Sequence, residues 1–536
     1  MVEEKTTIVL KITDVRHPVS KEPDLPLLVA RRLGVARADV QSIKILRRAT
    51  DARQRRIDYV YTITAAVTVP PEKTQEIEHR PGVSVHQDYE TAPQIIARSA
   101  DPVVIIGAGP AGLFAALTLV RRGIRPLVLE QGERISLRIR RVEQFWSQGI
   151  LHPLSNVVYG EGGAGTFSDG KLTTRIKSPL KEDVLRTFVH YGASSDILYD
   201  ARPHIGTDRL RIIIAAMVDD LQRQGVEFRF NTQVNDFILH NGTVCGVVAN
   251  DDIPARSVFV ATGHSARDMY RILRIRGATF QRKNFAVGLR IEHPQEFINQ
   301  AIIQRKRHRC DPRLLPASYA VTYHDEPSGR GVYSFCMCPG GTVIGCAEED
   351  DILCTNGMST SQRNTPWANA AIVVTVNTHD FKGVDPFSGL EMQTMLEHQA
   401  YTFGGGGFKA PAQLARDFVS DAASSPSFEN KPCSYRPGIT PADLRILLPV
   451  WIREPLQRAI IAFDKKIPGF IHEGLMLGVE TRTSAPLRIM RDPVSFHAIG
   501  IRGLIPIGEG SGYAGGIMSS AVDGIQAARS FDHNAG

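Results

Sequence analysis

Gly107-Ala108-Gly109-Pro110-Ala111-Gly112 stands between the apolar run Val103-Val104-Ile105-Ile106 and an apolar-periodic segment over Leu113 to Arg122. In that context a glycine turn closes a βαβ unit around a dinucleotide. Gly107 allows the tight turn, Gly109 lets backbone approach a pyrophosphate, and Gly112 packs helix on strand. Pro110 and Ala111 open the helix whose N-terminus receives the phosphates. Glu130 ends the second apolar run, Arg125 to Glu130, 23 positions after Gly107. A carboxylate there accepts from both ribose hydroxyls and repels a 2′-phosphate, so the adenosine should belong to FAD or NAD and not to NADP.

A distant segment separates these two. Ile505-Pro506-Ile507-Gly508-Glu509-Gly510 precedes Gly515-Gly516-Ile517-Met518 and a helical run through Ala528. Two segments far apart in the chain then converge on one ligand, which selects FAD. Glu509 is expected to accept from ribitol hydroxyls, and the helix starting near Gly516 to aim its positive end at the flavin N1 and O2 edge. Between the two segments, Val258-Phe259-Val260-Ala261-Thr262-Gly263-His264 reads as a buried strand ending in a small-residue turn that backbone can run past a dinucleotide.

Gly160 to Lys171 is too polar and glycine-rich to be core. Its Ser168, Asp169 and Lys171 could offer hydrogen bonds to the flavin or a substrate, and a lysine near the ring would stabilise negative charge as it is reduced. Cys336 and Cys338 lie two apart in an expected strand, Val332 to Cys338, so both thiols would point to one face. Same-face neighbours on a strand have Cα atoms about 6.5 to 7 Å apart, at the edge of the disulfide range, so packing is the expectation and a redox pair the alternative. Cys346, Cys354 and His379 lack finger-like spacing, which argues against zinc. His264, Arg290, Tyr435 and Arg436 are candidate substrate-side groups. The sequence carries no Ser-His-Asp arrangement, metalloprotease helix or GK[ST] loop.

The elements that must position these residues fall into four segments. Residues 1–97 read as a small α+β, ferredoxin-like module, with a strand around Thr7 to Ile12, a helix around Leu25 to Leu33, and strands around Val40 to Leu46 and Ile57 to Val69; Pro70-Pro71 and the polar segment from Gln87 to Arg98 look like its exit and a linker. Residues 98–283 form the first part of an FAD-binding domain, 284–469 an inserted mixed α+β substrate domain, and 470–536 the return to the FAD-binding domain. The expected class is α/β: a Rossmann-type domain carrying the insert and the N-terminal module.

Composition sets the outer bounds. The chain has 536 residues and is 43% hydrophobic, enough for two or three domains. It has no run of about 18 apolar residues, and its opening lacks the order of a secretory signal. Seven cysteines, an odd number, fit reduced thiols, so the expected compartment is the cytosol. A net charge of +7 permits an acidic partner; the basic run Arg47 to Arg56 is expected on a solvated hairpin turn.

The chain resembles the two-dinucleotide-binding-domain flavoproteins of the glutathione-reductase structural superfamily, and within it the bacterial and plastid FAD-dependent dehydrogenases. The resemblance covers nearly the whole chain. It rests on Leu46 to Arg53, on Glu161-Gly162-Gly163-Ala164-Gly165-Thr166-Phe167-Ser168-Asp169-Gly170-Lys171-Leu172, on Gly263-His264-Ser265-Ala266-Arg267-Asp268, on Phe335-Cys336-Met337-Cys338-Pro339-Gly340-Gly341, on Gly478-Val479-Glu480-Thr481-Arg482-Thr483, and on Gly508 to Met518. It implies FAD-dependent oxidoreductase activity, with Glu130 on the ribose, Thr262 and Gly263 near the dinucleotide, and Gly165, Thr166 and Ser168 beside the isoalloxazine; Gln131, Lys171, Val234, His264, Gly508, Glu509, Gly516, Ile517 and Met518 are the further residues expected to bind the cofactor. No dedicated nicotinamide domain with a glycine fingerprint of its own is visible, so NADH or NADPH would bind transiently as electron donor. The substrate is expected to be a small organic molecule, anionic given the surplus of Arg and Lys. Two other readings stand beside it: an RNA-associated or RNA-modifying flavoprotein, and a non-enzymatic FAD-holding sensor or scaffold.

Overall fold

Asp24 starts the first helix by accepting from Leu27 N–H, and Gly34, with φ 65°, ends it in the left-handed conformation. These caps belong to the first of two units in the computed structural model, which describes residues 5–51, 56–86, 102–303, 316–380, 383–423 and 432–531. The linker expected from Gln87 to Arg98, the boundary expected at 97/98 and part of the basic run, residues 52–55, lie outside the described residues.

The first unit runs β1 (Thr6–Pro18), α1 (Leu25–Leu33), β2 (Val40–Asp51), β3 (Asp58–Val69), α2 (Pro71–Glu78) and β4 (Val83–Val85). The sheet order is β2-β3-β1-β4 with antiparallel neighbours, a ferredoxin-like βαββαβ topology. Alternation puts Leu10, Ile12, Ile63 and Val67 on the face that packs on Val29 and Leu33. Pro70-Pro71 is not the exit of this unit. Pro71 takes the first helical position, where its missing N–H costs nothing, and opens α2. Arg47 and Arg48 also lie in β2 and not on a turn. Arg48 pairs in a fork with Asp200 at 2.8 and 3.0 Å and lies over the rings of Tyr59 and Tyr199, so it is structural.

The second unit begins with β5 (Val103–Ile106), α3 (Pro110–Arg121), β6 (Leu127–Leu129), α4 (Ile135–Gln148), α5 (Leu180–His190), α6 (Thr207–Arg223) and β7 (Glu227–Arg229). A meander follows, β8 (Asp236–His240), β9 (Thr243–Val248) and β10 (Asp252–Pro254), then β11 (Ser257–Val260), α7 (Arg267–Ile275) and β12 (Phe280–Arg282). Next come β13 (Phe285–Pro294), α8 (Gln295–Ile302), β14 (Thr322–Asp325), β15 (Arg330–Pro339), β16 (Thr342–Cys346), β17 (Cys354–Met358) and β18 (Trp367–Val376). The stretch continues with α9 (Ser388–Phe403), β19 (Ala410–Leu414), α10 (Ala415–Val419), β20 (Ile439–Pro441), α11 (Leu444–Leu447), α12 (Val450–Lys466), α13 (Phe470–Glu473) and β21 (Leu475–Glu480). The chain closes with β22 (Leu487–Ile489), β23 (Leu504–Pro506) and α14 (Ile517–Ser530).

Two sheets matter for the site. The first is parallel, ordered β23-β11-β5-β6-β7. Its central strand is buried at all four positions, as a sheet covered on both faces requires. The second, ordered β14-β15-β18-β13-β21-β19-β20, is antiparallel apart from the β19–β20 pair. Among the described residues no helix is long and apolar enough to cross a membrane.

Candidate functional site

A cavity of about 670 Å³ opens beyond the carboxyl ends of β5, β6 and β11, where an open parallel sheet binds ligands. From the glycine turn it is lined by Gly107, Gly109, Pro110 and Ala111, and from the ends of β6 and β7 by Glu130, Gln131 and Val234. Thr262, Gly263 and His264 follow β11, and Glu509, Gly516 and Ile517 come from the last crossover. The three motifs read from the sequence thus share one wall.

The turn owes its shape to two absent side chains. Gly107 has φ 105°, and a Cβ there would sit 2.5 Å from the Ala261 carbonyl oxygen; one on Gly112 would sit 2.0 Å from that of Gly107. Gly112 therefore acts from behind the cavity and does not line it. Glu130 fastens the same turn: one carboxylate oxygen accepts from Ala108 N–H at 2.9 Å, the other from Gly132 and Gly160 N–H at 3.0 Å each. A carboxylate offers about four lone pairs, so one remains for a ribose hydroxyl. This clasp was not foreseen from sequence.

The loop from Gly160 is built around Arg138. That guanidinium is fully buried, donates to the carbonyls of Asn156, Val157, Gly160, Glu161 and Gly163, and lies over the Phe167 ring. Burial among neutral acceptors pushes its pKa down to about 9. The clamp presents Gly165 and Ser168 to the cavity. Thr166 is turned inward, donating to Glu161 O and accepting from Thr207 through its carbonyl. Lys171 lies off the cavity wall and pairs with Asp169 at 2.7 Å.

At the other end, His264 Nδ1 stands 3.0 Å from Glu509 Oε1, and the second Glu509 oxygen accepts from Gly516 N–H at 3.2 Å. Burial would raise the Glu509 carboxyl, but the His264 ring and the Gly516 N–H hold it below its ordinary value. The N-terminus of α14 begins at Ile517, beside the cavity. Gly508 donates its N–H to Asp523 and Met518 is buried, so neither lines the cavity.

The antiparallel sheet and its neighbours complete the wall with Phe335, Cys336, Cys346, Glu348, Cys354 and Arg482. Arg267 and Arg482 share the buried carboxylates of Glu348 and Glu397. Sequence reasoning missed this network, although Arg267 and Arg482 lie inside two of the strings that carried the family resemblance. Three substrate-side candidates are corrected. Arg290 is fully buried against Glu480 at 2.9 Å, Tyr435 donates to Phe408 O, and Arg436 pairs with the exposed Glu143; none lines the cavity.

FAD fits these residues. Among the described residues, and apart from its immediate chain neighbours, nothing lies within 4 Å of a Cβ built at Gly263 or Gly516, and the buried His264 Nε2 has no hydrogen-bond partner. A long, polar dinucleotide matches both features.

Residues 284–483 match the family described as FAD-dependent protein, C-terminal domain-like, residues 105–160 an NAD(P)-binding Rossmann-like domain, and residues 9–66 a domain of unknown function. An uncharacterised protein of Clostridium beijerinckii is 41% identical over 522 residues, covering 95% of this chain and 96% of the other. Thiamine thiazole synthase of Thermotoga maritima is 27% identical over 196 residues, 34% of this chain and 65% of that one. Among solved structures, a geranylgeranyl bacteriochlorophyll reductase-like protein from Thermoplasma acidophilum aligns over 80% of this chain and 77% of its own, at 14% identity and a TM-score of 0.34. With its Rossmann sheet, its glycine turn and a relative matched along almost its whole length, this chain belongs to the family of FAD-dependent oxidoreductases.

Proposed function

We propose that this oxidoreductase holds FAD along the wall shared by the three motifs and acts on a small organic substrate admitted beside Phe335, Cys336 and Glu348. The observation that carries the reading is the convergence of Gly107–Ala111, Thr262–His264 and Glu509–Ile517 on one cavity. The backbone amides at the start of α3 would receive the pyrophosphate, and Glu130 and Gln131 the adenosine ribose. Val234, Thr262 and Gly263 would flank the dinucleotide, with Gly165 and Ser168 beside the ring. Glu509 would accept from ribitol hydroxyls while His264 keeps it ionised. The start of α14, Gly516 to Met518, would stabilise negative charge at the ring edge. Gly112, Gly508, Thr166 and Lys171 would act by shaping these segments from behind. When bound, FAD supplies the two-electron chemistry.

On the same features we assign the chain to the glutathione-reductase-type flavoproteins and read the N-terminal unit and residues 284–469 as separate domains. We take NADH or NADPH as a transient electron donor, since the sequence shows no second nicotinamide-binding domain with its own fingerprint, and the cytosol as the compartment, since the six cysteines described are free thiols. An anionic group on the substrate would be met by Arg271, which lines the cavity. The test is an anaerobic absorbance titration of the purified protein with NADH and with NADPH, followed by a metabolite screen for reoxidation. Bleaching of a flavin spectrum and its recovery with an organic oxidant support the reading; a protein whose flavin no donor reduces and no metabolite reoxidises contradicts it.

A further inference from the structure

The strand that carries Cys336 and Cys338 is not regular. Pairing between β15 and β18 slips between Phe335 and Cys338, and Cys336 has φ 44°, a left-handed conformation rare for a residue with a side chain. The extended spacing that counts against a bridge between residues two apart therefore does not apply here. Both thiols also reach one ammonium: Lys171 Nζ lies 3.9 Å from Cys336 Sγ and 3.6 Å from Cys338 Sγ. Cys338 Sγ in turn donates to the Cys336 carbonyl at 3.2 Å.

The surroundings favour one thiolate. Lys171 is anchored by Asp169, which Arg363 also approaches at 3.2 Å. His204, 3.6 Å from Asp169, is held neutral because burial pushes its pKa down to about 4. Arg290 donates to the Cys336 carbonyl at 3.4 Å while paired with Glu480. Two cations against Asp169, and Arg290 against Glu480, leave one positive charge in surplus beside the thiols. A hydrogen bond between the two thiol side chains, opposed by burial and supported by Lys171 and Arg290, holds the Cys336 thiol below its ordinary value, while the same side-chain bond and burial push Cys338 up. A low-pKa thiolate beside a protonated thiol is the arrangement of a dithiol poised for exchange. Cys336 is the member that lines the cavity.

We propose that Cys336 and Cys338 are a redox-active dithiol opening onto the flavin cavity. The Cys336 thiolate and the Cys338 thiol join in a disulfide, releasing an electron pair and the Cys338 proton; oxidised flavin accepts both and becomes its anionic reduced form. In the reverse direction the reduced flavin opens the disulfide to thiolate and thiol. The proposal rests on FAD occupying this cavity. Cys346 and Cys354 also line it and pair directly across β16 and β17, but burial pushes both thiols up, which keeps them protonated and slow to exchange.

Two measurements on the full-length protein test this. In an anaerobic dithionite titration of the oxidised holoprotein followed by flavin absorbance, the wild type should consume about four electrons per flavin and Cys338→Ser about two. After diamide oxidation, fragment mass spectrometry of the wild type should find a bridge roughly 2 Da lighter than the dithiol, confined to Cys336 and Cys338. In Lys171→Met the pH for half-maximal alkylation of Cys336 should rise by at least about one unit. Uptake of about two electrons by a flavin-loaded wild type, with both thiols still alkylatable, overturns the proposal and leaves flavin binding intact; so does a bridge found at Cys346–Cys354 instead. A protein that holds no flavin refutes the cofactor assignment, and the mass measurement then decides the thiol pair alone.

Discussion

His264 Nδ1 and Glu509 Oε1 stand 3.0 Å apart, joining the turn after β11 to the crossover after β23. The two strands are neighbours in the parallel sheet, so their carboxyl ends deliver both residues to one edge of the cavity. Glu509→Gln keeps the shape and removes the charge. Because hydrogen bonds to charged groups contribute about 1.5 to 3 kcal/mol, FAD should bind at least about tenfold more weakly. Flavin fluorescence quenching on titration of the apoprotein measures it, and an unchanged dissociation constant would remove Glu509 from the site.

Gly112→Val drives a side chain into the Gly107 carbonyl, 2.0 Å from where the Cβ must stand. The backbone of the turn has to move, at a cost of about 1 to 3 kcal/mol or more. The expected result is a lower unfolding midpoint together with loss of bound flavin; a variant that retains both would show that the turn tolerates a side chain.

Arg290→Met strands the buried carboxylate of Glu480, for which about 3 to 5 kcal/mol is expected in denaturant unfolding. The double variant Arg290→Met, Glu480→Met should recover much of that loss. If the single and double variants are equally unstable, the pair is not the unit that matters.

Asp169 gives a pH signature. Burial would raise its carboxyl, yet Lys171, Arg363 and His204 hold it at about 2. A carboxyl depressed in the folded state contributes stability above its unfolded pKa, and that contribution disappears as pH falls through the folded value. Asp169→Asn should therefore be less stable than the wild type by about 2 kcal/mol at pH 7, with the gap closing between roughly pH 4 and pH 2. A gap that does not change with pH would assign its cause to packing.

The βαβ unit was legible because three local signals agree there: the apolar run Val103–Ile106, the glycines and the acid at 130. The same holds for Glu509 and the start of α14. What sequence did not reveal depends on partners far along the chain. Pro70-Pro71 reads as a stop unless the next strand, β4, is known to need a helix before it. Arg48 reads as surface until Asp200 is brought alongside, and Arg290 reads as substrate-facing until Glu480 is. Regular alternation placed Cys336 and Cys338 on a plain strand face, and only the pairing with β18 reveals the bulge. The reading as a non-enzymatic FAD scaffold yields to the family assignment.

The central claim is that this cavity holds FAD, and the most direct measurement is the flavin released by acid from the purified protein, identified and counted per chain. The account predicts close to one FAD per chain, with the adenosine half intact as Glu130 and the glycine turn require. Protein that carries no flavin and takes none up from added FAD, or that carries FMN in its place, would contradict it.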